Sequence, residues 1–150
     1  MKVVIQRVSK ASVEINNAKF SSINKGLLVL LGIENSDTDV DIEWLIKKII
    51  NLRIFDDASQ SMNLSLNDIN GDLLLISQFT LYASTKKGNR PSYIKAAKAD
   101  ISEPLYNKFI KALEEKLGEK IKTGVFGANM KVSLLNDGPV TIIIDSKDRR

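Results

Sequence analysis

The sequence predicts a mixed α/β fold of the α+β type, a β-sheet carrying two long packed helices, in one domain over residues 1–150. Three observations lead there. Apolar runs of strand length outnumber helical stripes. Several of those runs follow one another with no helix between them. Two segments repeat apolar residues at helical spacing. A doubly wound sheet would alternate strand with helix instead. With 43% hydrophobic residues, a chain of this length can build one real core.

Along the chain, residues 2–9 alternate sides in part, with Val3, Ile5 and Val8 apolar, and residues 11–15 continue as a second short strand. Residues 26–33 are nearly all apolar, as expected of a strand covered on both faces. The first helix is predicted over 39–52. Thr38 or Asp39 caps it, acidic residues crowd its first turn, and Ile42, Leu45, Ile46, Ile49 and Leu52 form its stripe. Residues 73–79 read as a central strand, and 91–98 as a short helix after a basic loop. The second long helix is predicted over 103–117, with Ser102 as N-cap, Pro104 in the first turn and Gly118 at the end. Its Leu105, Phe109, Leu113 and Leu117 recur every four residues and read as core. Strands over 121–125, 130–135 and 140–145 complete the set, and Gly138-Pro139 reads as a turn closing a hairpin between the last two.

Composition narrows the chemistry. The chain has no His and no Cys, so any reaction proceeds without the commonest catalytic base and nucleophile, and no disulfide or thiolate metal site can form. Asp56-Asp57 and Asp37-Thr38-Asp39 are explained by turns and caps, so no metal or cofactor is expected. No apolar run approaches the ~20 residues that span a bilayer, and the N-terminus reads as a strand rather than a signal peptide, so the cytoplasm is the expected compartment. A net charge of +4 is compatible with a polyanion such as RNA, although on charge alone a solvated lysine-rich surface is the plainer reading.

Three segments remain. Ser77-Gln78-Phe79-Thr80 follows an apolar run and offers hydroxyls, an amide and backbone N–H groups suited to an oxyanion; cross-strand Ser and Thr bonding is the plainer reading. Thr80 is a candidate nucleophile without an identifiable base. Lys86-Lys87-Gly88-Asn89-Arg90 lacks a phosphate-loop pattern, yet its three cations suit a phosphodiester backbone; on its own, an exposed loop is the plainer reading. In Asn136-Asp137-Gly138-Pro139-Val140-Thr141, a φ-free Gly beside a Pro without a donor can aim bare carbonyls at a ligand, or simply turn the chain.

Together these segments resemble one family, the D-aminoacyl-tRNA deacylases. The likeness runs through Val4-Ile5-Gln6-Arg7-Val8, GLLVLLGI at 26–33, Leu52-Arg53-Ile54-Phe55, Met62-Asn63-Leu64-Ser65, SQFTLYA at 77–83, Lys87-Gly88-Asn89-Arg90-Pro91-Ser92, Thr123-Gly124-Val125-Phe126-Gly127-Ala128 and NDGPVT at 136–141. Asn129 departs from a frequent Asp and Lys87 from an alternative Arg, outside the two defining motifs. The resemblance implies a barrel-like sheet with packed helices, a homodimer, and active sites at the subunit interface. It implies a cis Gly138-Pro139 bond inserted into the partner's pocket and oriented by Arg7. Ser77, Gln78, Phe79 (through its N–H) and Thr80 would line that pocket, with Phe126 and Met130 near the bound adenosine and Lys86, Lys87 and Arg90 on the tRNA. The implied reaction is hydrolysis of the ester between a D-amino acid and the terminal adenosine of tRNA. L-amino acids would be excluded by main-chain carbonyls, glycyl-tRNA would be at some risk, and the substrate's 2′-hydroxyl would assist catalysis in preference to Thr80. Two other readings stand beside it: a non-catalytic nucleic-acid-binding module, against which counts the lack of a dispersed set of stacking aromatics, and a hydrolase of other esters.

Overall fold

The computed structural model describes residues 1–149. Strand β1 (Lys2–Ile15) is its centre. The sequence suggests two strands here; the structure has one, because β8 (Lys131–Asp145) pairs with it from Lys2 to Glu14 and carries it across the exposed Ser9 and Lys10. On its other edge, β1 pairs first with β3 (Gly26–Gly32) and then with β2 (Ala18–Ile23). Strand β2 has no apolar alternation to reveal it. Its signal is the turn: Asn16 and Asn17 sit at φ 53° and 59°, the two-residue geometry that Asn tolerates and that joins twisted hairpin strands.

Strand β6 (Asp72–Ser77) lies parallel to β3. Both are apolar throughout because both faces are covered. Leu27, Val29, Leu31, Leu73 and Leu75 face the helices, whereas Leu28, Leu74 and Ile76 join Val8, Val13 and Ile23 in a second core. The pair begins at Gly26, whose missing Cβ makes way for the Asp72 carbonyl. Short β7 (Lys122–Thr123) adds to β6 in parallel, giving the order β2-β1-β3-β6-β7. Ser21 Oγ of β2 donates to the Thr123 carbonyl of β7 at 2.7 Å, so the sheet nearly closes into a barrel around the second core. A separate two-stranded ribbon, β4 (Phe55–Asp56) with β5 (Met62–Leu64), lies beside it.

Helix α1 (Asp39–Asn51) starts as predicted. The Thr38 N–H donates to Asp41 Oδ2 at 2.9 Å in a capping box, and Ile42, Leu45, Ile46 and Ile49 are buried. Helix α2 (Ala99–Leu117) starts earlier than the sequence suggests. Lys98 is its N-cap; Ser102, the expected cap, lies inside and returns its hydroxyl to the Lys98 carbonyl at 2.9 Å. Pro104 therefore falls in the second turn. Phe109 and Leu113 are buried as predicted, Leu105 and Leu117 only partly, and Tyr106 adds a bond of 3.0 Å to the Leu75 carbonyl.

The expected helix over 91–98 does not form. Its backbone is spent on sheet-like contacts instead: Ser84 and Ser92 exchange bonds of 2.8 and 2.9 Å, and the Ala97 N–H reaches the Ile33 carbonyl at 2.9 Å. Strand β6 ends at Ser77, not 79, because the chain winds into a 3-10 turn at Phe79–Tyr82. The expected terminal hairpin is also absent. Residues 131–145 are one strand, and Gly138-Pro139 interrupts it as a bulge rather than ending it. The far edge of β8 is unpaired among the described residues.

Candidate active site

Parallel β3 and β6 stop side by side, and their carboxyl ends open a cavity of about 410 Å³. Leu31 and Ile76 contribute from the two strand ends, Ser77, Gln78 and Phe79 form one wall, and Phe126 and Met130 line it as well. Five of the residues expected in a pocket are thus brought together. The sixth, Thr80, adjoins them without lining the cavity; its Oγ1 accepts a hydrogen bond from Gln78 Nε2. No base touches that hydroxyl among the described residues. The 3-10 turn matters chemically. Its first N–H groups, those of Phe79 and Thr80, have no backbone acceptor among the described residues, as expected at a helix start.

Two supports were not singled out from the sequence. Gly124 has no Cβ, and Met130 Sδ occupies the space one would fill. Tyr106 backs the Phe126 ring at 5.7 Å, and burial pushes its hydroxyl pKa up to about 12, so it stays a neutral donor to Leu75. The lining contains no Asp, Glu, Lys, Arg or Tyr, so nothing in the cavity wall of this chain titrates near neutrality. Among the described residues, no three acidic side chains gather as metal ligands would.

The second predicted element lies elsewhere on the same chain. Gln6 pairs with Thr141 and Val8 with Asn136, which leaves Arg7 alone opposite Asp137, Gly138, Pro139 and Val140. Arg7 is buried. Its Nε donates to the Asp137 carbonyl at 3.0 Å and its Nη1 to the Ile54 carbonyl at 2.6 Å. The Gly138-Pro139 bond is cis and both residues are exposed. Gly138 stands at φ 125°, and a Cβ there would meet Arg7 Nη2 at 2.9 Å. Asn136 closes the neck of the bulge. Its amide donates to the Val140 and Arg7 carbonyls at 3.1 and 2.9 Å and accepts from Thr141 Oγ1 and Gln6 Nε2, both at 3.1 Å. Asn136 opens the motif, but only the register across β1 reveals its bracing role. Neither Arg7 nor the Gly138-Pro139 pair lines the cavity of its own chain. Lys86, Lys87 and Arg90 are exposed on the loop clasped by Ser84 and Ser92.

Fold and site define a class: α+β proteins with a nearly closed sheet, whose cavity at the strand ends is lined by main-chain, amide, hydroxyl and apolar groups rather than charged ones. Residues 4–145 match the family model described as D-Tyr-tRNA(Tyr) deacylase. The chain belongs to the D-aminoacyl-tRNA deacylase family, a family of hydrolases. It is 64% identical to the D-aminoacyl-tRNA deacylase of Flavobacterium psychrophilum and 63% identical to that of Bacteroides thetaiotaomicron, in each case over 99% of both chains. The solved structure of the c-Myc DNA unwinding element binding protein superposes with a TM-score of 0.92 at 42% identity, covering 97% of this chain and 98% of that one. A probable eukaryotic D-amino acid tRNA deacylase gives 0.83 at 17% identity, covering 95% and 97%, a likeness of fold alone. No helix among the described residues is long and apolar enough to cross a membrane.

Proposed function

We propose that the chain hydrolyses the ester joining a D-amino acid to the ribose of the terminal adenosine of tRNA, in the cytoplasm and as a homodimer. The observation that carries this reading is the cavity itself: open N–H groups beside Ser77 and Gln78, and no ionisable side chain in its wall. Water adds to the ester carbonyl, and the N–H groups of Phe79 and Thr80 receive the oxyanion. The 3′-oxygen of the ribose leaves with a proton, freeing tRNA and the D-amino acid. Without a protein base, the neighbouring 2′-hydroxyl of the substrate relays the proton, already held at the reacting centre.

Chirality is read by the partner's Gly138-Pro139 bulge entering the cavity. Main-chain carbonyls beside Cα leave no room for an L side chain, while a D side chain points outward. Glycine has nothing to exclude, so glycyl-tRNA is cleaved too. In support, the bulge is exposed and gripped by a buried Arg7, and β8 offers an open edge with exposed Leu135 and Ile143 for a second copy. Lys86, Lys87 and Arg90 hold tRNA phosphates.

The test compares D-tyrosyl-tRNA with L-tyrosyl-tRNA under one set of conditions. Release from the D-ester alone is expected; equal release from both would sink the chirality filter. The name of the c-Myc relative favours a second reading, a nucleic-acid-binding module without catalysis. Salt-dependent RNA binding with neither ester cleaved would establish that reading instead.

A further inference from the structure

The positive charge of this molecule is not spread evenly. Residues 73–99 carry Lys86, Lys87, Arg90, Lys95 and Lys98 and not one Asp or Glu. Set against a total of +4, this leaves the rest of the chain at −1. None of the five cations forms an ion pair among the described residues. Lys86, Lys87 and Arg90 stand on a loop whose two ends are tied by the reciprocal Ser84–Ser92 bonds, so they project from a held hairpin rather than a free tail. Beside them lie two accessible rings. Phe79 is 56% exposed although it lines the cavity, which places it at the mouth, and Tyr93 is 39% exposed. The rings meet edge to face, with centroids 5.1 Å apart at 71°. An edge-on pair covers at most one face of one ring, and both residues keep exposed surface beside the cavity. The chain lacks a dispersed set of stacking aromatics; what it has is one pair, set where a strand would enter.

We propose that Tyr93, seated against Phe79 at the cavity mouth, stacks the unpaired nucleobase that precedes the nucleoside held in the cavity, while the five cations of 86–98 neutralise the phosphates leading to it. The proposal rests on the RNA-ester reading above and adds a second recognised nucleotide. Stacking is tolerant of base identity, because every base has a π-face. Such a contact therefore adds affinity for a single-stranded 3′ end without selecting among tRNAs. It also separates a frayed, accessible end from a base-paired one.

The experiment measures binding, so it does not depend on turnover. The probes are a labelled RNA hairpin with a short unpaired 3′ end and the same hairpin made blunt. Tyr93→Ala is expected to weaken binding of the unpaired end about ten-fold, and Tyr93→Phe to leave it within about two-fold, since the ring and not the hydroxyl makes the contact. Neither change should alter binding of the blunt hairpin. Unchanged affinity of Tyr93→Ala for the unpaired end would overturn the proposal. So would an equal loss on both hairpins, or a loss in Tyr93→Phe as large as in Tyr93→Ala. Tyr93 is partly exposed, so thermal melts of both variants should match the wild type; a shared melt with unequal binding assigns the loss to the contact. Should the D-ester go uncleaved, the deacylase reading fails while the comparison between hairpins still decides this one.

Discussion

Thr80 presents its hydroxyl oxygen to an amide hydrogen of Gln78, and among the described residues no base bonds to it. A hydroxyl so placed is a poor nucleophile, since nothing takes its proton at neutral pH. Thr80→Ala leaves the Thr80 N–H in place, because the backbone donates it. The variant should retain kcat within about ten-fold of the wild type, whereas loss of an essential acid or base contributes about 10²–10⁴. Single-turnover deacylation of D-aminoacyl-tRNA measures this, and complete loss would make Thr80 the nucleophile. Ser77, Gln78 and Phe79 were legible at this scale because they stand together in one motif, whereas Phe126 and Met130 entered only through the family resemblance; the structure sets all five around one cavity. Asn136 and Gly124 were not legible. One acts through partners on the opposite strand, and the other acts by what it lacks, an atom whose absence matters only once Met130 is folded over it.

Strand β8 shows how elements mislead when read one at a time. A Gly-Pro pair between two apolar runs is the ordinary mark of a turn. Here the runs on both sides remain paired to β1, and the extra residues are extruded opposite Arg7. Pairing to a distant strand decided the outcome, and local preference cannot report that. The absent helix at 91–98 has the same origin: its backbone groups found partners at Ser84 and Ile33. By contrast, β3 and α1 were legible almost to the residue and β6 to within two, because burial on two faces and a capped apolar stripe leave direct periodic traces. Between β7 and β8 the packing is close enough to test. Gly124→Ala puts a methyl where Met130 Sδ now lies and within 3.2 Å of Ile76 Cδ1. Met130 is flexible and can yield into the cavity it lines. Stability should fall by about 1–3 kcal/mol, as for an overpacked site, and KM should rise more than kcat falls. A denaturant titration with steady-state kinetics checks both; an unchanged KM would show that Met130 does not bound the bound nucleoside.

Across the whole molecule, the two ends of the chain and the start of α1 meet in a polar clasp. The Met1 amino group lies buried between Asp37 and Ser146 Oγ, and Lys147 Nζ reaches Asp41 Oδ2 at 2.9 Å. Burial alone would raise the Asp41 pKa. Hydrogen bonds from Lys147, Ser146 and the Thr38 backbone outweigh it and hold the carboxyl well below its ordinary 3.8. A folded pKa below the unfolded one means stability that is fully present above about pH 3.8 and lost as acid protonates the folded carboxylate. Asp57, held at about 2 by hydrogen bonds from Ser59 and Ser61, titrates in the same direction. Asp41→Asn should therefore be less stable than the wild type at pH 7, and the gap should narrow at pH 3. Urea midpoints at the two pH values test it, and a gap that widens in acid would reverse the sign assigned to Asp41.

The uneven charge has one more consequence, for how the molecule travels. A chain whose net positive charge sits in one segment, residues 73–99, has an uneven field, and a polyanion would turn such a molecule before the two touch. On the proposed reading, collisions that begin from the wrong side would thereby be rotated toward the cavity mouth rather than wasted. If the RNA reading holds, added salt, which shortens the reach of that field, is expected to slow capture of the RNA end while leaving the bond-breaking step at its own pace.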